Sequence, residues 1–359
     1  MIASAIIVLA LAAAPEAQAD DTQKALEAIV ESSRKLVPAK AIERTAPKYP
    51  PAELRKGREA WVRVAYCIDE SGETQNVSIL DSVGGAKFDK AALATVGAWK
   101  FEPALIDGEP SWQSRNQTYI SFALSGDNKG ASKRFASQFR KLGKLIDKKE
   151  LQEADELFWR VHDNYDLSLY ELSKLWAQRV RYEGLTGDLY RLDMALHRAT
   201  ASKGKWIDKE SYIRLLKLRA QVEVNIGQYG AAIEAFEELA DAAGEDSEEV
   251  KSLRPIIDKL HELIDGDKVL RIAAKVRTKN ECNSCNNSWT FTPVRSAFSL
   301  TNISGKLTSI ELRCDHKRFD SMVSDLVEWN IPDDWGSCHV NIYGDPGTTF
   351  DVLLLPNST

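Results

Sequence analysis

The chain has 359 residues, 43% of them apolar, and a formal net charge of −6. That is enough for two or three domains of ordinary size and too much for one small module. The charge balance offers no clustered Lys/Arg field to neutralise phosphates, which excludes nucleic acid as an expected partner.

Ile2 to Ala14 is an unbroken run of small and apolar residues, shorter than the ~20 residues needed to span a bilayer. Pro15 and Glu16 close the run, and Ala17-Gln18-Ala19 puts small residues at the two positions a signal peptidase reads before Asp20. Residues 1–19 are therefore read as a cleaved signal peptide, although the run is preceded by no Lys or Arg. An uncleaved inner-membrane anchor is the alternative. The expected compartment is the periplasm, with no stable membrane span after signal removal. Cysteine usage agrees with export: Cys67 stands alone, while Cys282, Cys285, Cys314 and Cys338 cluster near the end, as disulfide frameworks do in oxidising compartments.

Three compositional zones follow, and they predict an α+β multidomain chain divided at 36–125, 131–266 and 267–359. In the first zone Val62, Val64, Tyr66 and Ile68 alternate with Arg63, Ala65, Cys67 and Asp69, the period of a half-buried strand. Ser71-Gly72 turns the chain into a second strand through Val77 and Ile79. Gly84-Gly85 ends that strand, and Phe88, Ala91, Ala92, Thr95 and Trp99 recur at helical spacing. A last strand is expected over Gln117 to Leu124. The order is ββαβ, with a short helical lead-in at Pro51 to Lys56, where proline suits the first turn.

Several strings in this zone occur together and in order. They are Pro47-Lys48-Tyr49-Pro50, Gly57 ahead of Trp61-Val62-Arg63-Val64, Ile68-Asp69-Glu70-Ser71-Gly72, Phe88-Asp89 with Ala91-Ala92-Leu93, and Trp99-Lys100-Phe101 with Pro103-Ala104. In this arrangement the segment resembles the C-terminal domain of TonB energy transducers, over roughly a quarter of the chain. The resemblance implies a small sheet that takes up peptide segments of outer-membrane TonB-dependent receptors at an exposed edge. There, unpaired N–H and C=O groups supply the binding. The candidate edge is Arg115, Asn116, Gln117, Thr118, Tyr119, Ile120, Ser121 and Phe122, and the motif residues Pro47, Tyr49 and Pro50 are read mainly as structural. The segment departs from the family pattern at Ala46 and Ala60. No Pro-rich spacer precedes Pro47, so a binding module is expected rather than a force transducer.

The connector Ser125 to Gly130 is small and polar and reads as a linker. Beyond it, three segments repeat at roughly 40 residues: Lys149-Glu150-Leu151 with Ala154 and Phe158, Gly187-Asp188-Leu189 with Leu192 and Leu196, and Gly227-Gln228-Tyr229 with Ala232 and Phe236. The third resembles the second helix of a tetratricopeptide repeat. The zone is expected to be a TPR-like helical array that serves as a second protein surface or as a spacer. Trp159, Tyr165, Trp176 and Trp206 are its candidate aromatic anchors.

The third zone reads as a disulfide-bearing β-rich domain. Strands are expected at Val269 to Val276, Trp289 to Phe298, Lys306 to Arg313, Cys338 to Tyr343 and Thr348 to Leu354, with a helix at Phe319 to Trp329. Gly344-Asp345-Pro346-Gly347 reads as the turn of a final hairpin. Pairing Cys314 with Cys338 closes a loop of about 25 residues, which the chain-entropy model values near 3 kcal/mol. Cys282 with Cys285 would be the second bridge. A zinc site on the four thiolates with His316 or His339 beside them, and a thiol-redox role for Cys282-x-x-Cys285, are the other readings.

His162, His197, His261, His316 and His339 are scattered. No nucleophile elbow or phosphate loop appears. The expectation is a protein without catalytic residues, cofactor or metal, which binds proteins or peptides in the periplasm. The alternative is an envelope scaffold with no transport role.

Overall fold

The computed structural model describes residues 36–124, 130–164, 166–201, 203–277, 287–323 and 327–356. The expected signal segment, the linker core, Tyr165, Cys282 and Cys285 lie outside the described residues.

The first unit is built on β3 (Ala60–Ile68), which lies between β4 (Thr74–Val83) and β8 (Gln113–Phe122) in an antiparallel sheet. Its alternation turns Val62, Val64, Tyr66 and Ile68 to one face. There, with Ile120 and Phe122, they pack on Phe88, Ala92 and Val96 of α2 (Ala86–Val96). The lead-in forms α1 (Pro51–Lys56), with Pro51 in its first turn and Gly57 closing it at φ 69°. The short strands β1 (Leu36–Val37), β2 (Lys40–Glu43), β5 (Lys100–Glu102), β6 (Ala104–Ile106) and β7 (Glu109–Ser111) make two small ribbons beside the sheet, β2-β5 and β1-β6-β7. The ββαβ order expected from the sequence is present, with the last strand beginning four residues earlier than read.

The alternation predicts a half-buried β3, yet its second face is buried too. Trp61, Ala65 and Cys67 are only 2%, 5% and 0% exposed. Trp61 and Val83 join the apolar cluster of the helices, which cover this face together with the C-terminal sheets.

Among the described residues seven helices follow: α3 (Lys133–Asp147), α4 (Leu151–Asn164), α5 (Leu169–Thr186), α6 (Leu189–Ala199), α7 (Lys209–Asn225), α8 (Tyr229–Ala243) and α9 (Glu248–Asp265). The three self-similar segments open α4, α6 and α8, the second helices of three hairpins. Each is preceded by a left-handed residue: Lys149 at φ 60°, Gly187 at 78° and Gly227 at 76°. That conformation ends a helix and lets the chain double back. The matching positions Ala154, Leu192 and Ala232, and Phe158, Leu196 and Phe236, are all buried. Trp176 is no surface anchor: it is fully buried, edge-on to Phe158, with the Arg198 guanidinium 4.6 Å from its ring centre.

The last unit is a sandwich of two antiparallel four-stranded sheets. One has the order β10 (Ser288–Phe291), β15 (Cys338–Gly344), β12 (Leu307–Cys314), β13 (Arg318–Met322). The other runs β14 (Glu328–Asn330), β11 (Ala297–Ser304), β16 (Thr349–Leu354), β9 (Leu270–Lys275). Arg295, 3% exposed, fastens this unit to the helices by donating to the carbonyls of Leu263, Ile264, Gly266, Lys268 and Leu354. It thereby satisfies acceptors that the end of α9 leaves open.

Three expectations for this zone need correction. The stretch read as a helix from Phe319 forms β13 and β14 instead. Its apolar spacing fits a helix, but the free edge of β12 offers a full set of backbone partners, and context outweighs propensity. Trp289 to Phe298 divides into β10 and β11, which belong to different sheets. The turn after Gly344 joins no hairpin, because β15 and β16 also lie in opposite sheets, so it is an arch across the core.

Cys314 and Cys338 are directly opposed in the β12–β15 register and are joined as a disulfide. This removes two of the four thiolates that the zinc reading requires. Replacing both by Ala is expected to lower the unfolding free energy by about 2 to 4 kcal/mol in urea titrations; an unchanged midpoint would contradict this.

Candidate functional site

β8 pairs with β3 on one side, and no described strand pairs with its other side. Among the described residues, no backbone–backbone hydrogen bond beyond the sheet involves Arg115 to Phe122, although the Tyr49 hydroxyl lies 3.5 Å from the Phe122 carbonyl. Along these eight residues Ile120 and Phe122 are core, Arg115, Asn116, Gln117, Thr118 and Ser121 are half-buried and Tyr119 is 37% exposed. The Tyr119 ring meets Trp61 edge-on at 5.5 Å. The start of the strand is tethered, since Arg115 pairs with Glu234 of α8 at 2.9 Å and lies 3.8 Å from Asp315. The more open stretch is thus Thr118 to Phe122.

The motif residues act as a lead-in. Pro50 caps α1, and Pro47, Tyr49 and Pro50 are half-buried. The Tyr49 ring packs edge-on against both Phe88 and Phe122, each at 5.7 Å, and its hydroxyl donates to the Arg58 carbonyl. Burial, with Glu59 and Glu53 nearby, pushes its pKa up to about 12. It therefore remains a neutral donor across the physiological range.

Ionic contacts fix the unit to the helices. The Glu59 carboxylate accepts from the Leu124 N–H at 2.8 Å and the Leu169 N–H at 2.7 Å. It holds the end of β8 against the start of α5, whose first N–H groups need acceptors. Arg198, buried in α6, bonds both Asp81 oxygens on β4. Cys67 also finds its place here: it is wholly buried on the second face of β3, where its thiol contacts the Ser114 carbonyl at 3.6 Å. Burial raises its pKa, leaving a protonated packing group and a poor nucleophile.

The second face of the sheet, the helices α6 to α8 and the C-terminal sandwich together enclose a cleft of about 240 Å³. Arg63, Asp193, His197, Glu223, Arg313 and His339 line it. No sequence motif gathers these six residues. Their one local signal is the four-residue spacing of Asp193 and His197, which puts both on one helix face; the other members meet only through tertiary packing. Of the two histidines that neighbour cysteines in sequence, His339 reaches the cleft through β15. Burial first, and then Arg115, Arg63 and Arg313, lower the His339 pKa to about 3, while its Nδ1 lies 2.9 Å from the Thr292 hydroxyl.

Residues 45–124 match the family model described as Gram-negative bacterial TonB protein C-terminal. Protein TonB of Xanthomonas campestris pv. campestris (strain B100) is 33% identical over 79 residues, covering 22% of this chain and 35% of that protein. Protein TonB of Vibrio cholerae serotype O1 is 32% identical over 89 residues, covering 25% of this chain and 36% of its own length. The chain thus spans about a third of the length of these curated relatives. Among solved structures, the tonb2 protein from Vibrio anguillarum aligns at 25% identity over 25% of this chain and 84% of that chain, with a TM-score of 0.21. The Pseudomonas aeruginosa TonB CTD aligns at 24% identity over 26% of this chain and 90% of that chain, again with a TM-score of 0.21. The segment 45–124 is a TonB C-terminal-type domain carrying a helical segment and a β sandwich after it.

The neutral His339 sets a pH expectation. Its folded pKa is depressed below the unfolded value of about 6.5, so between that value and about 3 the unfolded chain binds a proton that the native chain refuses. Stability therefore falls as pH drops below about 6.5, by up to about 1.4 kcal/mol per pH unit from this group. His339→Gln should flatten the acid limb of a stability-versus-pH curve; an identical slope would show that His339 protonates freely in the native state.

Proposed function

We propose that this chain is a periplasmic, non-enzymatic TonB-like binding protein linked to TonB-dependent outer-membrane transport. In this reading its units are 36–125, 131–266 and 267–359. A peptide segment of an outer-membrane receptor adds as a further strand along β8, with Thr118 to Phe122 as the accessible part. The observation that carries the reading is the unpaired outer side of β8 in a domain that matches the TonB C-terminal family. Such an edge offers alternate N–H and C=O groups in register, so main-chain bonds give affinity and the exposed Tyr119 ring gives some choice of side chain. The buried Cys314–Cys338 bridge supports an oxidising compartment.

The helices and the sandwich brace the sheet from behind in this reading. A rigid edge loses less conformational freedom on binding than a floppy one. The TPR-like hairpins supply the brace and leave their outer surface for a second contact.

Proline substitution tests the edge. Adjacent N–H groups on a strand point to opposite sides, so of Thr118→Pro and Tyr119→Pro one disrupts the ladder to β3 and the other removes only an outward donor. Ile120 is unsuitable because it is 5% exposed and belongs to the core. The variant that keeps the wild-type melting temperature within a few degrees should lose capture of TonB-dependent receptors from outer-membrane extracts by on the order of tenfold or more. Undiminished capture by that folded variant would remove β8 as the docking edge.

A further inference from the structure

Asp193 and His197 lie on one face of α6, and Glu223 approaches them from α7. One donor atom from each of the three falls within 4.8 Å of the others. His197 Nε2 stands 3.6 Å from Asp193 Oδ1 and 3.0 Å from Glu223 Oε1. Donors bound to one ion at about 2.1 Å in tetrahedral geometry are about 3.4 Å apart, so this triangle has the size of a metal site.

A second observation points the same way. Asp193 is 5% exposed and Glu223 0% exposed, and among the described residues each keeps a buried oxygen, Asp193 Oδ1 and Glu223 Oε2, without a hydrogen-bond partner. The other oxygen of each faces a guanidinium: Arg219 Nε donates to Glu223 Oε1 at 2.9 Å, and Arg277 lies 3.8 Å from Asp193 Oδ2. Arg219 is shared with Glu238 at 3.3 Å. Leaving a buried carboxylate oxygen unpaired is costly, and both orphans belong to side chains that line the inter-unit cleft.

We propose that Asp193, His197 and Glu223 bind a divalent first-row transition ion, with zinc as the reference case. Two carboxylates neutralise the ion, and one imidazole nitrogen with two oxygens is a donor set of the borderline type that zinc accepts. Burial raises the pKa of Asp193 and of Glu223, and burial and Arg219 lower that of His197 to about 3. A bound dication opposes the first effect, and the uncharged imidazole is the form that ligates. Three protein ligands leave a coordination position open toward the cleft, where Arg63 and Arg313 favour an anionic or water ligand. The site ties α6 to α7 and is independent of whether β8 binds peptide.

Chelator-treated full-length protein, with its disulfides left oxidised, should be titrated with Zn²⁺ by calorimetry and with Co²⁺ by visible absorption. The expected result is one equivalent bound, with Co²⁺ d–d bands and no thiolate-to-cobalt charge-transfer band. His197→Ala should weaken Zn²⁺ binding on the order of 100-fold or more, beyond the 10- to 100-fold typical of losing a group that only orients a ligand. The near-isosteric Asp193→Asn, checked for folding by circular dichroism, gives a second variant with the same expectation. Absence of Zn²⁺ binding to the wild type would overturn the proposal. So would a charge-transfer band, which would place the ion on cysteine, or undiminished affinity in a folded variant.

Discussion

Everything in this structure turns on β3 being covered on both faces. A strand with one solvated face would allow the small sheet to move as a free bead on its linker. Here Trp61 is counted among the helical core and Cys67 is closed over by the C-terminal sheets, so separating the units would expose apolar surface and break buried ion pairs. Burying the faces leaves recognition to the edges. The order β4-β3-β8 leaves the outer sides of both β8 and β4 without a strand partner among the described residues, and β8 is the edge that carries the exposed Tyr119 ring.

The seam behind β3 is unusually ionic. Arg198 grips Asp81, Arg58 reaches Asp166, Arg115 reaches Glu234, and Arg219 bridges two acids. Arg198–Asp81 and Arg219–Glu223 are buried, while Arg58–Asp166 and Arg115–Glu234 are partly open to solvent; buried pairs add little net stability compared with apolar packing, but they penalise any misplacement that would leave a charge alone. They therefore suit a joint that must set orientation. Asp193 and Glu223 each face a guanidinium with one oxygen and, among the described residues, keep the other without a hydrogen bond, and those two oxygens mark the cleft as more than a joint.

Period-two alternation in β3 was readable in sequence because Val62 to Ile68 supply one clean apolar stripe. It tells which face is the more apolar and is silent on what covers the other, so the burial of Ala65 and Cys67 was invisible. The hairpin turns were legible through Gly187, Gly227 and their repeat spacing, since a left-handed residue has a chemical signature. β13 was not, because Phe319, Met322 and Val323 fit a helix and only the waiting edge of β12 decides otherwise. The candidate edge could be placed because it belongs to a recognisable motif set. The cleft could not: Asp193 and Glu223 are drawn together from different helices, and Arg313 and His339 from another unit altogether.

The most direct test of the account is residue-resolved amide hydrogen exchange along Arg115 to Phe122 in the free protein and with a bound receptor segment. Free protein should show alternation, with slow exchange for amides turned to β3 and fast exchange for those turned outward. Adding the receptor segment should slow the outward set selectively. Uniform protection of all eight residues before any partner is added would mean that the edge is already sealed, and would contradict the account.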